Sequence, residues 1–259
     1  MAYQNLISEV KENILYVTIN REKALNAINK DTLAELADVI AFAGKTEDVR
    51  AIILTGAGEK AFVAGADIKE FSDYSGKQGE ELARQGQENV FNAIENSPKP
   101  FIAAINGFAL GGGLELAMAC HMRIAADTAK LGLPEVTLGL IPGYGGTQRL
   151  TQLVGKGKAI ELITSANMIN AVDAEKIGLV NYAVPQSDLI SKAKEILDLI
   201  KQRAPLAIAA AIKSVNASVD GIGGYDVEIE EFGKCFETAD FKEGVNAFVE
   251  KRKAVFIGK

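Results

Sequence analysis

The stretch FIAAINGFALGGGLELAMAC, residues 101–120, constrains this chain more than any other. It is almost wholly apolar and runs for about the 20 residues that a membrane-spanning helix requires. One continuous helix fits it poorly, because Gly107, Gly111, Gly112 and Gly113 interrupt the run and each glycine weakens a helix relative to alanine. Asn106 and Glu115 also put polar groups inside it. The stretch reads instead as a buried strand, a glycine turn and a buried helix. Glu115 stands out there: a carboxylate within the apolar sequence Leu-Glu-Leu-Ala-Met-Ala is expensive to bury unless it is paired or has chemistry to perform. The structural alternative is an acid that neutralises a helix N-terminus or pairs with a basic side chain.

The surroundings supply a core large enough to hold such a unit. With 259 residues, 48% of them hydrophobic and 24% charged, the chain has the balance of a globular protein organised as one main domain. Residues 5–10 and 14–20 alternate as a hairpin around Lys-Glu-Asn. Asp31 is an expected N-cap for a helix carrying Leu33, Leu36, Ile40 and Ala43 and stopping at Gly44. Residues 51–54 form a short buried strand running into Thr-Gly-Ala-Gly. A mostly exposed helix is expected after Ser72, closing at Ser-Pro-Lys-Pro before the strand at 101–105. Beyond the helix at about 114–120 come a strand at 122–126, a helix start at Pro134 and a last strand at 179–184. From Asp188 onward the period is helical, with Pro205 opening one segment and Gly221-Ile222-Gly223-Gly224 separating it from the next. Pairs of strands alternating with single helices give an α/β class built from ββα units.

Three glycine-rich loops could aim free backbone N–H groups at an anion or a polarised carbonyl: 63–67, 107–113 and 142–147. Taken singly, each is a tight turn. None has the lysine and hydroxyl of a phosphate-cradling P-loop, and the second lacks dinucleotide spacing. Glu135 follows Pro134 and would pass alone for an ordinary first-turn acid. His121 is the only histidine and reads as a packed or surface side chain, so histidine triads lose their basis. A two-glutamate glycosidase needs an aromatic-lined sugar cleft, and the chain has no tryptophan. A net charge of −6 and a pI near 5.1 argue against nucleic acid or an anionic membrane as partner. Cys120 and Cys235 offer neither a disulfide framework nor metal-ligand spacing, and the first residues carry no visible leader, so a cytoplasmic location is expected.

Ordered blocks then resemble one family along the whole chain. They are Arg-Glu-Lys-Ala-Leu-Asn-Ala at 21–27, Lys-Ala-Phe-Val-Ala-Gly-Ala-Asp-Ile-Lys at 60–69 and Gly-Gly-Gly-Leu-Glu-Leu-Ala at 111–117. Leu-Pro-Glu at 133–135, Ile-Pro-Gly-Tyr-Gly-Gly-Thr-Gln-Arg-Leu at 141–150 and Phe-Val-Glu-Lys-Arg-Lys at 248–253 follow in the same order. The chain resembles the enoyl-CoA hydratase, or crotonase, family. That resemblance implies a crotonase-like spiral of ββα units over residues 1–195 and a helical C-terminal oligomerisation region over 196–259, assembling as a homotrimer or a homohexamer of paired trimers. It implies water addition to a trans-2-enoyl-CoA, with Glu115 and Glu135 flanking the water and Ala66 and Gly112 forming an oxyanion hole. It further implies that Gly143 places the water, and that Lys23, Ala24, Leu25, Ala64, Ile68 and Phe256 contact the acyl-CoA. No metal or redox cofactor is implied. Glu22 stands where the family often has proline, Ser165 replaces part of a common Thr-Gly pair, and Tyr144 occupies a variable position where it would narrow the acyl pocket toward short chains. Related activities remain alternatives: an enoyl-CoA isomerase, a methylglutaconyl-CoA-type hydratase, an acyl-CoA hydrolase, or a CoA- or RNA-binding protein without turnover.

Overall fold

The computed structural model describes residues 3–219 and 223–259. Of the expected glycine separator near 221, Gly221 and Ile222 lie outside the described residues. The chain opens with the hairpin β1 (Leu6–Lys11) and β2 (Ile14–Ile19), turned by Glu12 and Asn13, both at positive φ. Helix α1 (Lys30–Lys45) follows, and its N-cap is Asn29 rather than Asp31, with the Asn29 side chain accepting from Thr32 N–H. Asp31 falls instead in the first turn, where its charge still favours the helix dipole. Gly44 does not stop the helix, which continues to Lys45.

Three strand pairs then succeed one another: β3 (Ala51–Gly56) with β4 (Ala61–Val63), β5 (Phe101–Ile105) with β6 (Phe108–Leu110), and β7 (Met122–Ala126) with β8 (Lys130–Gly132). The first member of each pair joins a six-stranded sheet ordered β1-β2-β3-β5-β7-β10, where β10 is Tyr182–Val184. The second joins a four-stranded sheet ordered β4-β6-β8-β9, where β9 is the two-residue strand Ile169–Asn170. Apart from the β1–β2 and β8–β9 pairs, the ladders are parallel. Helices follow the strand pairs: α2 (Gly76–Gly86) and α3 (Asn92–Glu95) joined by a π-turn at Gln87–Phe91, and α4 (Gly112–Ala119). The repeated unit is thus ββα, with its two strands divided between two sheets.

Helices α5 (Gly146–Val154), α6 (Lys156–Ser165) and α7 (Ala171–Lys176) lead to β10, which begins at Tyr182 rather than Leu179; Leu179 and Val180 are buried in the approach to the sheet. The remainder is α8 (Leu189–Ile200), α9 (Pro205–Ala217), α10 (Gly224–Cys235) and α11 (Ala239–Val249). Among the described residues no helix is long and apolar enough to cross a membrane, and the apolar run at 101–120 is β5, β6 and α4.

The placement of α4 has clear causes. Every residue of this helix is buried, and it starts at Gly112, two residues before the expected Leu114, because Gly111 turns the chain with φ +51. A Cβ at Gly113 would overlap Val63 of β4, so glycine permits the helix to lie directly on that strand. At the other end, buried Arg123 donates to the carbonyls of Cys120 (2.5 Å) and Leu179 (2.9 Å), placing a cation where the helix dipole is negative.

Candidate active site

The three glycine loops meet around α4. Ala66 is linked to Ile28 by an isolated parallel bridge, with Asp67 N–H donating to Ile28 O (2.7 Å) and Ile28 N–H to Gly65 O (2.9 Å). The N–H groups of Ala66 and Gly112 donate to no protein acceptor among the described residues. They lie close together, since a Cβ built on Gly112 would sit 3.8 Å from Ala66 N. Gly112 is the first residue of α4, so its N–H is one of the donors that a helix cannot satisfy internally. Arg21 braces the first loop: its guanidinium donates to Ala27 O and pairs with Asp67 at 3.1 Å.

Glu115 is 1% exposed and one turn into α4. Its Oε1 accepts two backbone hydrogen bonds, from Tyr144 N–H and Gly146 N–H, each 2.7 Å. Burial pushes its carboxyl up to about 7; the Glu135 charge adds to the rise, while the two N–H donors and the Arg149 guanidinium oppose it. Glu135 opens a single 3-10 turn, Glu135–Leu138, with Pro134 at its N-cap; the expected helix is no longer than that. Burial raises its carboxyl as well, and its Oε2 is buried with no protein partner among the described residues. A Cβ on Gly111 would lie 3.0 Å from Glu135 Oε1, which puts this carboxylate over the turn that precedes Gly112. Two desolvated carboxyls, one influencing the other, therefore stand beside two free backbone donors, an arrangement suited to moving protons next to a developing oxyanion.

Tyr144 closes one side. Its ring is 7% exposed, stacks on Phe91 at 4.7 Å between centroids, and packs so closely on Gly86 that a Cβ there would overlap it. A Cβ on Gly112 would be 3.5 Å from Tyr144 Cδ2, so the ring also borders the free-donor pair. Burial and the neighbouring Glu115 push its phenol up to about 12, keeping it neutral. The turn at 142–146 is fixed in turn by Gln87, which donates to Gly143 O (2.7 Å).

The remaining residues singled out in the sequence divide into two groups. Lys23 and Ala24 lie in the 3-10 turn Glu22–Ala24, followed by exposed Leu25 in the left-handed region; Leu25 O accepts from Ala64 N–H at 3.1 Å, so these residues and Ala64 share one edge of the first loop. Ile68, 46% exposed, begins the 3-10 turn just beyond Asp67. Phe256, by contrast, packs on its own C-terminal segment, with its ring 3.4 Å from where a Cβ on Gly244 of α11 would stand. That segment is tied down by Asp240, which accepts from Ile257 and Gly258 N–H. His121 is a packed side chain: Nδ1 accepts from Phe101 N–H, Nε2 contacts Glu95 O, and burial lowers its pKa to about 4. Sequence reading missed the Tyr144 and Gly146 N–H groups as partners of Glu115, although the helix-opening Gly-Gly after a proline was the available signal.

The comparisons with known proteins agree along the full length. The profile of the enoyl-CoA hydratase/isomerase family matches residues 9–259. The chain is 48% identical to a crotonyl-CoA hydratase of Syntrophomonas wolfei, with 100% of both chains covered. It is likewise 48% identical to a short-chain-enoyl-CoA hydratase of Clostridium acetobutylicum, over 98% of this chain and 97% of the relative. Among solved structures, an enoyl-CoA hydratase from Bacillus anthracis superposes with a TM-score of 0.93 at 39% identity, covering 99% of this chain and 100% of the other. The ββα spiral, the two paired glutamates and this agreement converge, and the chain belongs to the enoyl-CoA hydratase/isomerase family.

Proposed function

We propose that this protein is a short-chain enoyl-CoA hydratase, a hydro-lyase that reversibly adds water syn across the 2,3-double bond of a trans-2-enoyl-CoA to give the 3-hydroxyacyl-CoA. The observation that carries the reading is the juxtaposition of Glu115 and Glu135, both raised by burial, with the unpartnered N–H groups of Ala66 and Gly112. Attack of water at C3 builds enolate charge on the thioester oxygen, and the Ala66 and Gly112 donors are the groups that would receive it. Glu115 is assigned mainly to taking the proton from water and Glu135 mainly to delivering one at C2, as a coupled pair. The two N–H bonds to Glu115 Oε1 leave its other oxygen for the water, and the loop N–H of Gly143 is assigned to placing it. Water addition changes no net oxidation state, so the proposed chemistry calls on no redox cofactor, and its proton transfers and enolate charge are assigned to the two glutamates and the two N–H donors rather than to a metal.

Lys23, Ala24, Leu25, Ala64 and Ile68 are assigned to the CoA moiety because they line the exposed edge of the loop that carries Ala66. Phe256 is assigned to a CoA contact made from the C-terminal region. Tyr144 favours a short acyl group, its stacked ring bordering the donor pair where a longer chain would extend. A homotrimer, or a hexamer of two trimers, formed through residues 196–259 is supported by Tyr225 and Phe248, 86% and 85% exposed on the C-terminal helices. Two free thiols fit a reducing, cytoplasmic setting. The test is the loss of conjugated-thioester absorbance across a chain-length series: crotonyl-CoA should give the highest kcat/KM, and absence of turnover on every member refutes the assignment.

A further inference from the structure

Glu115 can act as described only if the turn that grips it is rigid, and the structure traces that rigidity to a buried side chain outside the reacting pair. Three consecutive peptide groups, 143–144, 144–145 and 145–146, present the Tyr144 and Gly146 N–H groups to one carboxylate oxygen. The first is held at its carbonyl by Gln87. The third is held because Gly145 O accepts from Gln148 N–H and Arg149 N–H at the start of α5. The middle one, which joins the two donors, is held by Arg149, whose Nη1 donates to Tyr144 O at 2.9 Å.

Arg149 is 5% exposed and packs directly against the turn, since a Cβ at Gly145 would overlap its guanidinium. Its Nη2 donates to Asn92 Oδ1 at 2.8 Å and pairs with Glu95 Oε2 at 2.6 Å, both on α3. Glu95 is anchored through its own carbonyl, which meets His121 Nε2 at 3.1 Å and accepts from Asn216 Nδ2 of α9 at 2.7 Å. The guanidinium thus spans from the turn to a helix fixed on two further sides, a reach that needs a planar fork with several donors.

Resting on the hydratase reading, we propose that Arg149 is a positioning residue for the reaction: it locks the 143–146 turn so that two N–H groups converge on one oxygen of Glu115 and leave the other for water. The groups that face the Glu115 carboxyl in charge are Glu135, Arg149 and the neutral Tyr144 phenol. Removing the guanidinium takes away a cation and loosens both N–H donors, each of which favours the ionised carboxylate, so the acid limb of kcat should move to higher pH.

The test compares wild type with Arg149→Met and Arg149→Lys on crotonyl-CoA, together with crystal structures of the variants. Arg149→Met should lose ~10–10²-fold in kcat with KM changed by less than about threefold, and its acid limb should move up. Arg149→Lys keeps the charge without the fork, so it should return the limb toward wild type while recovering little of kcat. At least one of the two 2.7 Å bonds to Glu115 should be broken in the Arg149→Met structure. If neither Arg149 variant folds, Glu95→Gln and Asn92→Ala keep the guanidinium but free its far end, and a several-fold fall in kcat is expected. A folded variant with wild-type kcat, limb and Glu115 geometry overturns the proposal. An inactive wild type instead overturns the hydratase reading, and the variant structures then still decide whether Arg149 holds the turn.

Discussion

Replacing Glu115 by glutamine should make the protein more stable and nearly inactive, and the two effects should depend on pH in a way the structure fixes. The carboxyl titrates at about 7 in the folded chain against the usual 4.5, chiefly through burial. Below 4.5 it is neutral in both states. Between 4.5 and 7 only the unfolded chain is ionised, so the folded state binds more protons and stability falls as pH rises. Above 7 the full penalty is present, corresponding to about 3 kcal/mol for a displacement of this size. Glutamine is neutral throughout, nearly isosteric, and its amide oxygen can still accept from Tyr144 and Gly146. The Glu115→Gln variant should therefore gain about 2–3 kcal/mol more over wild type at pH 8.5 than at pH 5, on the order of 5 °C in Tm for a chain of this length. The comparison requires denaturant and thermal unfolding at one fixed protein concentration, because the proposed subunit association would also shift the midpoint. Hydration should fall by ~10²–10⁴-fold, since an amide cannot serve as a base. A stability gain that is the same at both pH values would mean that Glu115 carries no buried charge, contrary to its burial.

Further outcomes follow from the same geometry. Ala66→Pro deletes one of the two free donors and should lower kcat by at least ~10²-fold, measured on protein whose circular dichroism matches wild type; near-normal turnover removes Ala66 from the proposed hole. The rate on crotonyl-CoA should fall as pH drops through about 7, because Glu115 must be ionised to accept a proton, and a limb near 4.5 would contradict the burial argument. Phe248→Asp places a charge at a side chain 85% exposed on α11 and should shift the assembly toward monomer in light scattering; an unchanged mass excludes Phe248 from the interface.

How much of this was legible in the sequence varies with the range of the interaction. The run at 101–120 was legible as a strand followed by a helix because glycines and one acid broke an otherwise uniform apolar signal, and Glu115 was conspicuous for the same local reason, but the short strand β6 at Phe108–Leu110 was read as part of the glycine turn. Glu135 had no such signal, being an ordinary acid after a proline, and only the resemblance gave it a role. Asn29 displaced Asp31 as the N-cap because both types suit the position and the choice depends on how the chain enters the helix from the Ile28–Ala66 bridge. Strand β9 is two residues long and owes its existence to its antiparallel partner β8. The grip on Glu115 joins residues 29 and 31 positions apart, and the Arg149–Glu95 pair spans 54, so no local pattern announces either one. Even the division of each strand pair between two sheets is invisible to periodicity, since a buried strand looks alike in both.

A hydratase adds solvent water through the two glutamates, whereas an isomerase only relocates the double bond. The direct measurement is mass spectrometry of the product formed by purified wild-type protein from crotonyl-CoA in ¹⁸O-labelled water. One labelled oxygen is expected at C3 of the 3-hydroxybutyryl group, with Glu115→Gln and Glu135→Gln each forming that product ~10²-fold or more slowly. Their combined loss should be smaller than the product of the two single losses, because both acids serve one transition state. A wild-type protein that shifts the double bond of short enoyl-CoA substrates without incorporating label, or that tolerates loss of either glutamate, would contradict the hydratase reading.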